Sequence, residues 1–310
     1  MKNRVSLSDG AGPRRASLRQ QLIAAPGTAA WFAVLMLFTV YFGVPILWLI
    51  LAPSKIDVQL IDLPPLAFGE IGNYARSWGV LSGYNDGVIM NWTWNSVLYT
   101  VASVLLSIVI SVPAGYAFAT TKFAGRSLLM TLTLITMILP GSAMVLPLFL
   151  EMNLVGLVDT RLGVILPALF YPFGVYLSYV HFATGLPRDL LAAGRVDGCN
   201  EWQLFLYVGL PLAKTLFALL AFMSFSANWN NYFFAFVMLN DPALYNLPVG
   251  LQAMASGTPM LNPTFAATES SLKRPEAATA ILLMVLPVIL IFVFAQRYVV
   301  SSALTGATKE

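Results

Sequence analysis

The segment LPRDLLAAGRVDGCNEWQLFLYVGLPLAKT, residues 186–215, is a polar island between two long apolar segments. Its charges decide where it lies. An Arg or Asp at the centre of a spanning helix costs roughly 2.5–3.5 kcal/mol on insertion scales. A stretch holding Arg188, Asp189, Arg195 and Asp197 therefore sits in water. Pro187 opens a helix-compatible run to Val196, Asp197-Gly198 breaks it, and an amphipathic run leads to Leu210-Pro211-Leu212. This order predicts a helix–turn–helix lying along the membrane face. Gly198 can adopt positive φ at no steric cost and Asp197 favours turns, which suits a corner between two helices. Leu190, Ala193 and Arg195 fall on the first helix, whose small residues Ala192, Ala193 and Gly194 permit close approach by another protein. The alternative is a solvated loop with an incidental turn, since Gly and Asp are ordinary turn residues.

Working outward, composition places the rest of the chain in lipid. Of the 310 residues 58% are hydrophobic and only 10% are charged, against about 25% charged in soluble domains; mean hydropathy is +0.76. A net charge of +3 spread along the chain is too small for a nucleic-acid-binding face. One cysteine, Cys199, excludes an internal disulfide and a cysteine-rich metal site, and one histidine, His181, speaks against a His-based metal site or triad. Neither a G-x-x-x-x-G-K-[ST] loop nor a G-x-G-x-x-G fingerprint is present, so no nucleotide site is legible.

A spanning helix needs about 20 mostly apolar residues. Six such segments can be counted, roughly 30–52, 97–120, 128–150, 163–183, 213–239 and 276–300. The fold class expected is an all-α membrane protein of six transmembrane helices with a two-helix element on one face. The first span follows a basic start and reads as an uncleaved signal anchor. Pro45, Pro113, Pro140, Pro147 and Pro287 interrupt spans, which membrane helices tolerate where neighbours satisfy the freed carbonyls. Basic residues set the orientation. Lys2, Arg4, Arg14, Arg15 and Arg19 place the tail 1–29 inside, together with the 121–127 loop, the 186–212 island and the tail 301–310. Loops 53–96, 151–162 and 240–275 are then outside, with Lys273 and Arg274 running against the rule.

At the island the sequence resembles the cytoplasmic EAA loop of permease subunits of ATP-binding-cassette importers, in the sugar-import branch typified by the second, six-helix maltose permease. That branch carries a pattern like P-k-e-L-x-E-A-A-x-I-D-G-A, then an aromatic helix and L-P-L. Here Pro187-Arg188-Asp189-Leu190-Leu191-Ala192-Ala193-Gly194-Arg195-Val196-Asp197-Gly198-Cys199 aligns without a gap, followed by Phe205 and Leu210-Pro211-Leu212. Ala192 stands where the family usually has Glu and Gly194 where it has Ala, so a charge contact with the ATPase is lost or replaced. Weaker family-like motifs run along the chain: Asn73-Tyr74, Asn95-Ser96, Gly115-Tyr116-Ala117-Phe118-Ala119, Phe123-Ala124-Gly125-Arg126, Leu139-Pro140, Gly156-Leu157 with Thr160, and Gln296-Arg297-Tyr298. The resemblance implies a type I importer permease fold over residues 30–300 and ATPase coupling through Arg188, Asp189, Leu190, Ala192, Ala193, Arg195, Asp197 and Gly198. It also implies a second permease subunit as heterodimer partner, two ATPase subunits that use ATP and Mg, an extracytoplasmic sugar-binding protein, and a place in the bacterial cytoplasmic membrane. This chain itself is expected to bind no cofactor, metal or nucleic acid and to have no catalytic residues.

Within the fifth segment Ser224, Asn228 and Asn231 recur at i, i+4 and i+7 and share a helix face. They read either as a lining of the sugar path, with Trp229 and Tyr232 as stacking surfaces, or as interhelical hydrogen bonding worth about 0.6–2 kcal/mol a pair. Trp92 and Trp94 read as interfacial anchors, His181 as a structural polar residue, and the basic N-terminal tail as a contact for anionic lipid. The long loop 240–275 is expected, by the resemblance, to reach a docked binding protein; a packing loop is the alternative. An ion-driven secondary transporter would need buried charges within spans, and an intramembrane enzyme would need a nucleophile–base pair. Neither is visible in the sequence.

Overall fold

The computed structural model of the chain describes residues 18–256 and 272–307, with side chains from 30 to 256 and from 272 to 296. Most of the N-terminal tail, the second half of loop 240–275 and the end of the C-terminal tail lie outside the described residues. No strand occurs among those described. The helices are α1 (Leu18–Leu51), α2 (Gly72–Ser82), α3 (Val88–Thr120), α4 (Arg126–Ile138), α5 (Gly141–Leu154), α6 (Arg161–Gly185), α7 (Arg188–Val196), α8 (Glu201–Leu212), α9 (Lys214–Trp229), α10 (Phe233–Met238), α11 (Leu247–Ser256) and α12 (Arg274–Ala307).

Among the described residues four helices are long and apolar enough to cross a membrane, and the number reaches six if each of two bent helix pairs is one span. The segment 163–183 is interrupted at Phe170-Tyr171, and two further segments are not the single helices expected. The segment 128–150 is a pair, α4 and α5, bent by 113° at Leu139-Pro140. Pro140 lacks the N–H that would continue the ladder and holds Leu139 extended at φ −66°, ψ 130°. The segment 213–239 is helical only from Lys214 to Trp229, then breaks at 230–232 and resumes as α10. Helix α1 begins at Leu18, well before residue 30, and α12 continues to Ala307, past residue 300.

The centre of the bundle is α3, which packs chiefly on α6 and α9. One stripe of α3 explains how it comes so close. Thr100, Ser103, Ser107, Ser111 and Gly115 are buried along it, and small residues let helix backbones approach in lipid. A Cβ at Gly115 would overlap Ser178 and the backbone of Tyr179 on α6. Ser178 Oγ turns back to the Gly174 carbonyl at 2.7 Å, so its own hydroxyl is satisfied within α6. Helix α1 stands apart from this core, its apolar side chains from Trp31 to Phe42 exposed.

The end of α3 away from the polar island is a second organised region. The segment 242–247 is pinned to one face of α3 by five side chains one turn or less apart. Asn91 Nδ2 donates to the Ala243 carbonyl (2.7 Å) and Trp92 Nε1 to Pro242 (2.9 Å). Asn95 Nδ2 donates to Ala243 and Tyr245 (2.9 and 3.0 Å), and the Tyr99 hydroxyl to Leu244 (2.8 Å). Ser96 Oγ accepts from the Leu247 N–H at 2.7 Å. Trp92 is therefore a buried clamp with Gly250 pressed on its ring rather than an interfacial anchor. Trp94, by contrast, stays exposed. The family-like Asn95-Ser96 pair lies inside α3 and acts in tertiary assembly.

Candidate functional site

The polar island folds as two helices around a capped corner. Helix α7 runs from Arg188 to Val196 and ends in a Schellman motif: the Gly198 N–H donates to the Arg195 carbonyl at 3.2 Å and the Cys199 N–H to Gly194 at 2.9 Å. Gly198 holds φ +84°, the left-handed conformation that this motif requires after a helix. Asn200 then caps α8. Its side chain accepts from the Gln203 N–H at 2.9 Å, while the Gln203 side chain accepts from the Asn200 N–H at 2.8 Å. This reciprocal box fixes the start of the second helix.

Arg195 spans the corner. Its Nε donates to Glu201 Oε1 at 2.9 Å and its Nη2 to Oε2 at 3.3 Å, joining the two helices from one side. The Glu201 carboxylate holds the guanidinium above its ordinary pKa. Both side chains are nearly half exposed, so the pair contributes on the order of 0.2–1 kcal/mol and serves geometry more than stability. Arg195 is thus engaged within its own chain. Glu201 went unnoticed in the sequence, although an N-x-x-Q box beside an acid six residues after an Arg was a usable signal.

The element has an inner and an outer face. Leu191, Leu204 and Phe205 are buried against Val112, Tyr116, Phe182 and Leu216. Tyr116 meets Phe182 edge-on at 5.3 Å and Phe205 at 5.1 Å, and His181 stands edge-on to Phe182. Through this aromatic cluster α7 and α8 are keyed to α3, α6 and α9. Gly194 does not face outward as the sequence suggested: a Cβ there would run into Leu204 of the same chain. On the outer face Leu190, Val196, Trp202 and Tyr207 are 48%, 87%, 60% and 73% exposed, with Arg188, Asp189, Ala192, Ala193, Asp197 and Gly198 exposed beside them. Residues 205–209 form a π-helical turn before Pro211, and α8 meets α9 at 79°. The element therefore lies across the ends of the spans.

The five residues singled out in the fifth segment do not form one lining. Ser224 is buried and shares a 2.9 Å hydrogen bond with Ser107 of α3, and Asn228 Nδ2 donates back to the Ser224 carbonyl at 2.8 Å. Trp229 is buried, stacked on Phe225, and donates from Nε1 to Met284 of α12 at 2.8 Å. Asn231 lies beyond the end of α9, so the i, i+4, i+7 face stops at Asn228; its carbonyl accepts from Asn246 Nδ2 at 2.7 Å. Tyr232 lies in the break, stacked on Phe236 with ring centroids 5.6 Å apart and both rings exposed. Phe236 is the partner that sequence reasoning missed, because the i, i+4 pair only appears once the helix restarts near it.

With this geometry in view, residues 107–304 match the family described as binding-protein-dependent transport system inner membrane component, and the chain belongs to that family. It is a multi-pass membrane permease subunit of an ATP-binding-cassette importer, a non-catalytic component that works with partner subunits and a binding protein. The chain is 34% identical, over 70% of its length and 74% of the relative's, to the arabinooligosaccharides transport system permease protein AraQ of Halalkalibacterium halodurans. It is 28% identical, over 88% and 86%, to the diacetylchitobiose uptake system permease protein NgcG of Streptomyces coelicolor. Its fold is similar to that of a chain in a bacterial ABC transporter involved in the import of the acidic polysaccharide alginate. That match has a TM-score of 0.74 at 24% identity and covers 92% of this chain and 99% of the other.

Proposed function

We propose that this subunit passes an oligosaccharide, delivered by an extracytoplasmic binding protein, across the bacterial cytoplasmic membrane. The observation that carries the coupling role is the two-faced corner of α7 and α8. Its inner face is keyed to three spans and its outer face offers Leu190, Val196, Trp202 and Tyr207 to a partner. A partner that closes and opens against the outer face moves the spans through the inner one, biasing an inward-open/outward-open equilibrium. The partner is an ATPase subunit, one of two that consume ATP with Mg. Arg188, Asp189, Ala192, Ala193, Asp197 and Gly198 complete the docking surface, and Arg195 positions the corner through Glu201.

In this reading residues 1–29, 186–212 and 301–310 are cytoplasmic and 240–275 extracytoplasmic. A second, different permease subunit covers the open side of the bundle, and the sugar path runs between the two. Tyr232 with Phe236 is the surface on which a sugar ring can stack. Ser224, Asn228 and Trp229 hold the wall behind it, and Asn231 ties the break to α11. The names of the two relatives, one for arabinooligosaccharides and one for diacetylchitobiose, support an oligosaccharide.

The test is purification of the tagged full chain from its native membrane, followed by uptake in proteoliposomes. A second permease and an ATPase should be retained in stoichiometric amounts, and uptake of labelled oligosaccharide should require both ATP and the binding protein. Uptake by the chain alone, driven by an ion gradient, would refute the proposal.

A further inference from the structure

Beside the α7–α8 corner lies a cavity of about 310 Å³ whose far wall, Lys122, Arg126 and Tyr179, the coupling role does not use. Four cations stand around it: Lys122 from the loop that joins α3 to α4, Arg126 at the start of α4, and Arg188 and Arg195 from α7. Among the described residues the ion pairs are Arg195 with Glu201 and Arg274 with Asp57. With Glu201 set against Arg195, three positive charges remain uncompensated around one hollow. Asp189 of α7 and Asp197 just past its end are not on its wall. The half-buried Tyr179 adds a hydroxyl, and Phe182 and Leu191 add an apolar floor. Like charges gathered at this density repel one another unless an anion joins them.

We propose that this cavity binds a phosphate-bearing anion, whose occupancy ties the coupling helix α7 to the α3–α4 corner. Arg126 and Arg188 offer the planar forks that suit phosphate oxygens, and Lys122 adds a point charge. The two pairs of cations belong to different elements, so a bound phosphate bridges them and restrains α7 against the spans. The cavity opens where α3 and α6 end, at Thr120 and Gly185. On the cytoplasmic orientation proposed above, on which this inference rests, that is the level of the inner-leaflet phosphates. Basic pockets between spans at this level bind anionic headgroups. A headgroup and a free phosphate share this chemistry.

The test uses the assembled transporter in nanodiscs of phosphatidylcholine with or without phosphatidylglycerol, part of it photoactivatable. Wild type is compared with Lys122→Gln/Arg126→Gln and with the charge-conserving Lys122→Arg/Arg126→Lys. Phosphatidylglycerol should crosslink at 119–126 and 183–195 and change the ATPase rate. The neutral pair should weaken its apparent affinity roughly 30-fold, about 2 kcal/mol at 1.4 kcal/mol per tenfold, and the charge-conserving pair should restore it. If inorganic phosphate in pure phosphatidylcholine discs reproduces the change in rate and no lipid crosslinks, the anion is soluble and the site stands. If neither probe distinguishes wild type from the neutral pair, the site is overturned. Retention of the ATPase is scored separately. Its loss with crosslinking intact counts against the coupling reading, and its presence without crosslinking or rate response counts against this site alone.

Discussion

Replacing Gly198 with valine isolates the corner from everything else in the coupling element. A Cβ built at Gly198 meets no atom within 4 Å, so valine introduces no overlap inside this chain. What it introduces is backbone strain: φ is +84°, a conformation that costs an ordinary L-residue about 1–2 kcal/mol and a β-branched one more. Relaxing the strain means unwinding the Schellman turn, which forfeits the Gly198 and Cys199 bonds to Arg195 and Gly194 at about 0.5–1.5 kcal/mol each. The two routes cost about the same, so a mixture of strained and unwound corners results. An ATPase that selects the intact corner loses apparent affinity in proportion to the competent fraction, up to about 5- to 30-fold for 1–2 kcal/mol. The assay is titration of purified ATPase onto the permease pair in proteoliposomes, with sugar uptake measured in parallel. Gly198→Val should bind weakly and transport little while inserting normally. Gly198→Asn should stay near wild type, because Asn enters the left-handed region readily. Tight binding and normal uptake by the valine variant would remove the claim that this corner is the docking geometry. Equal impairment by Asn and Val would shift the cause from φ to side-chain volume at the partner's surface.

Trp92→Ala removes the buried indole that clamps Pro242 and Gly250, and the assembled permease should lose about 3–5 kcal/mol of stability, read as an earlier thermal transition in detergent. Trp92→Phe gives up the hydrogen bond to Pro242, about 0.5–1.5 kcal/mol, and part of the ring that Gly250 rests on, so its loss should exceed one hydrogen bond and stay below that of alanine; equal losses in the two variants would refute a packing share for the remaining ring. In a Cys199→Ser background, Val196→Cys should react with an impermeant thiol reagent only from the cytoplasmic side and Ser256→Cys only from the outside, and the reverse pattern would invert the topology.

How far the sequence reaches shows best at Asp197-Gly198, read as a corner, while the caps at Asn200 and Thr160 were legible signals left unread. Each is a local device: a positive-φ stop, a capping box, and an N-cap that accepts the Gly163 N–H at 3.1 Å. The energy of such devices resides within a few consecutive residues, so their spacing announces them. The six apolar segments are legible for the same kind of reason, since each must satisfy its own backbone in lipid wherever its neighbours are. What a linear pattern cannot carry is which atoms oppose which. The polar residues kept a helical period as far as Asn231, yet α9 stops at Trp229, and Asn231 instead offers its carbonyl to Asn246, fifteen residues on. Trp92 had the composition of a membrane-interface anchor and became a clamp because Pro242 lies over it. The meeting of Lys122 and Arg126 with Arg188 and Arg195 joins charges sixty residues apart along the chain. Sequence alone determined the class of fold, the membrane and the corner of the coupling element, all products of local backbone and solvation energies. Tertiary structure alone decided the clamp of segment 242–247 on α3 and the cationic cavity, because those depend on side chains brought together by helix packing.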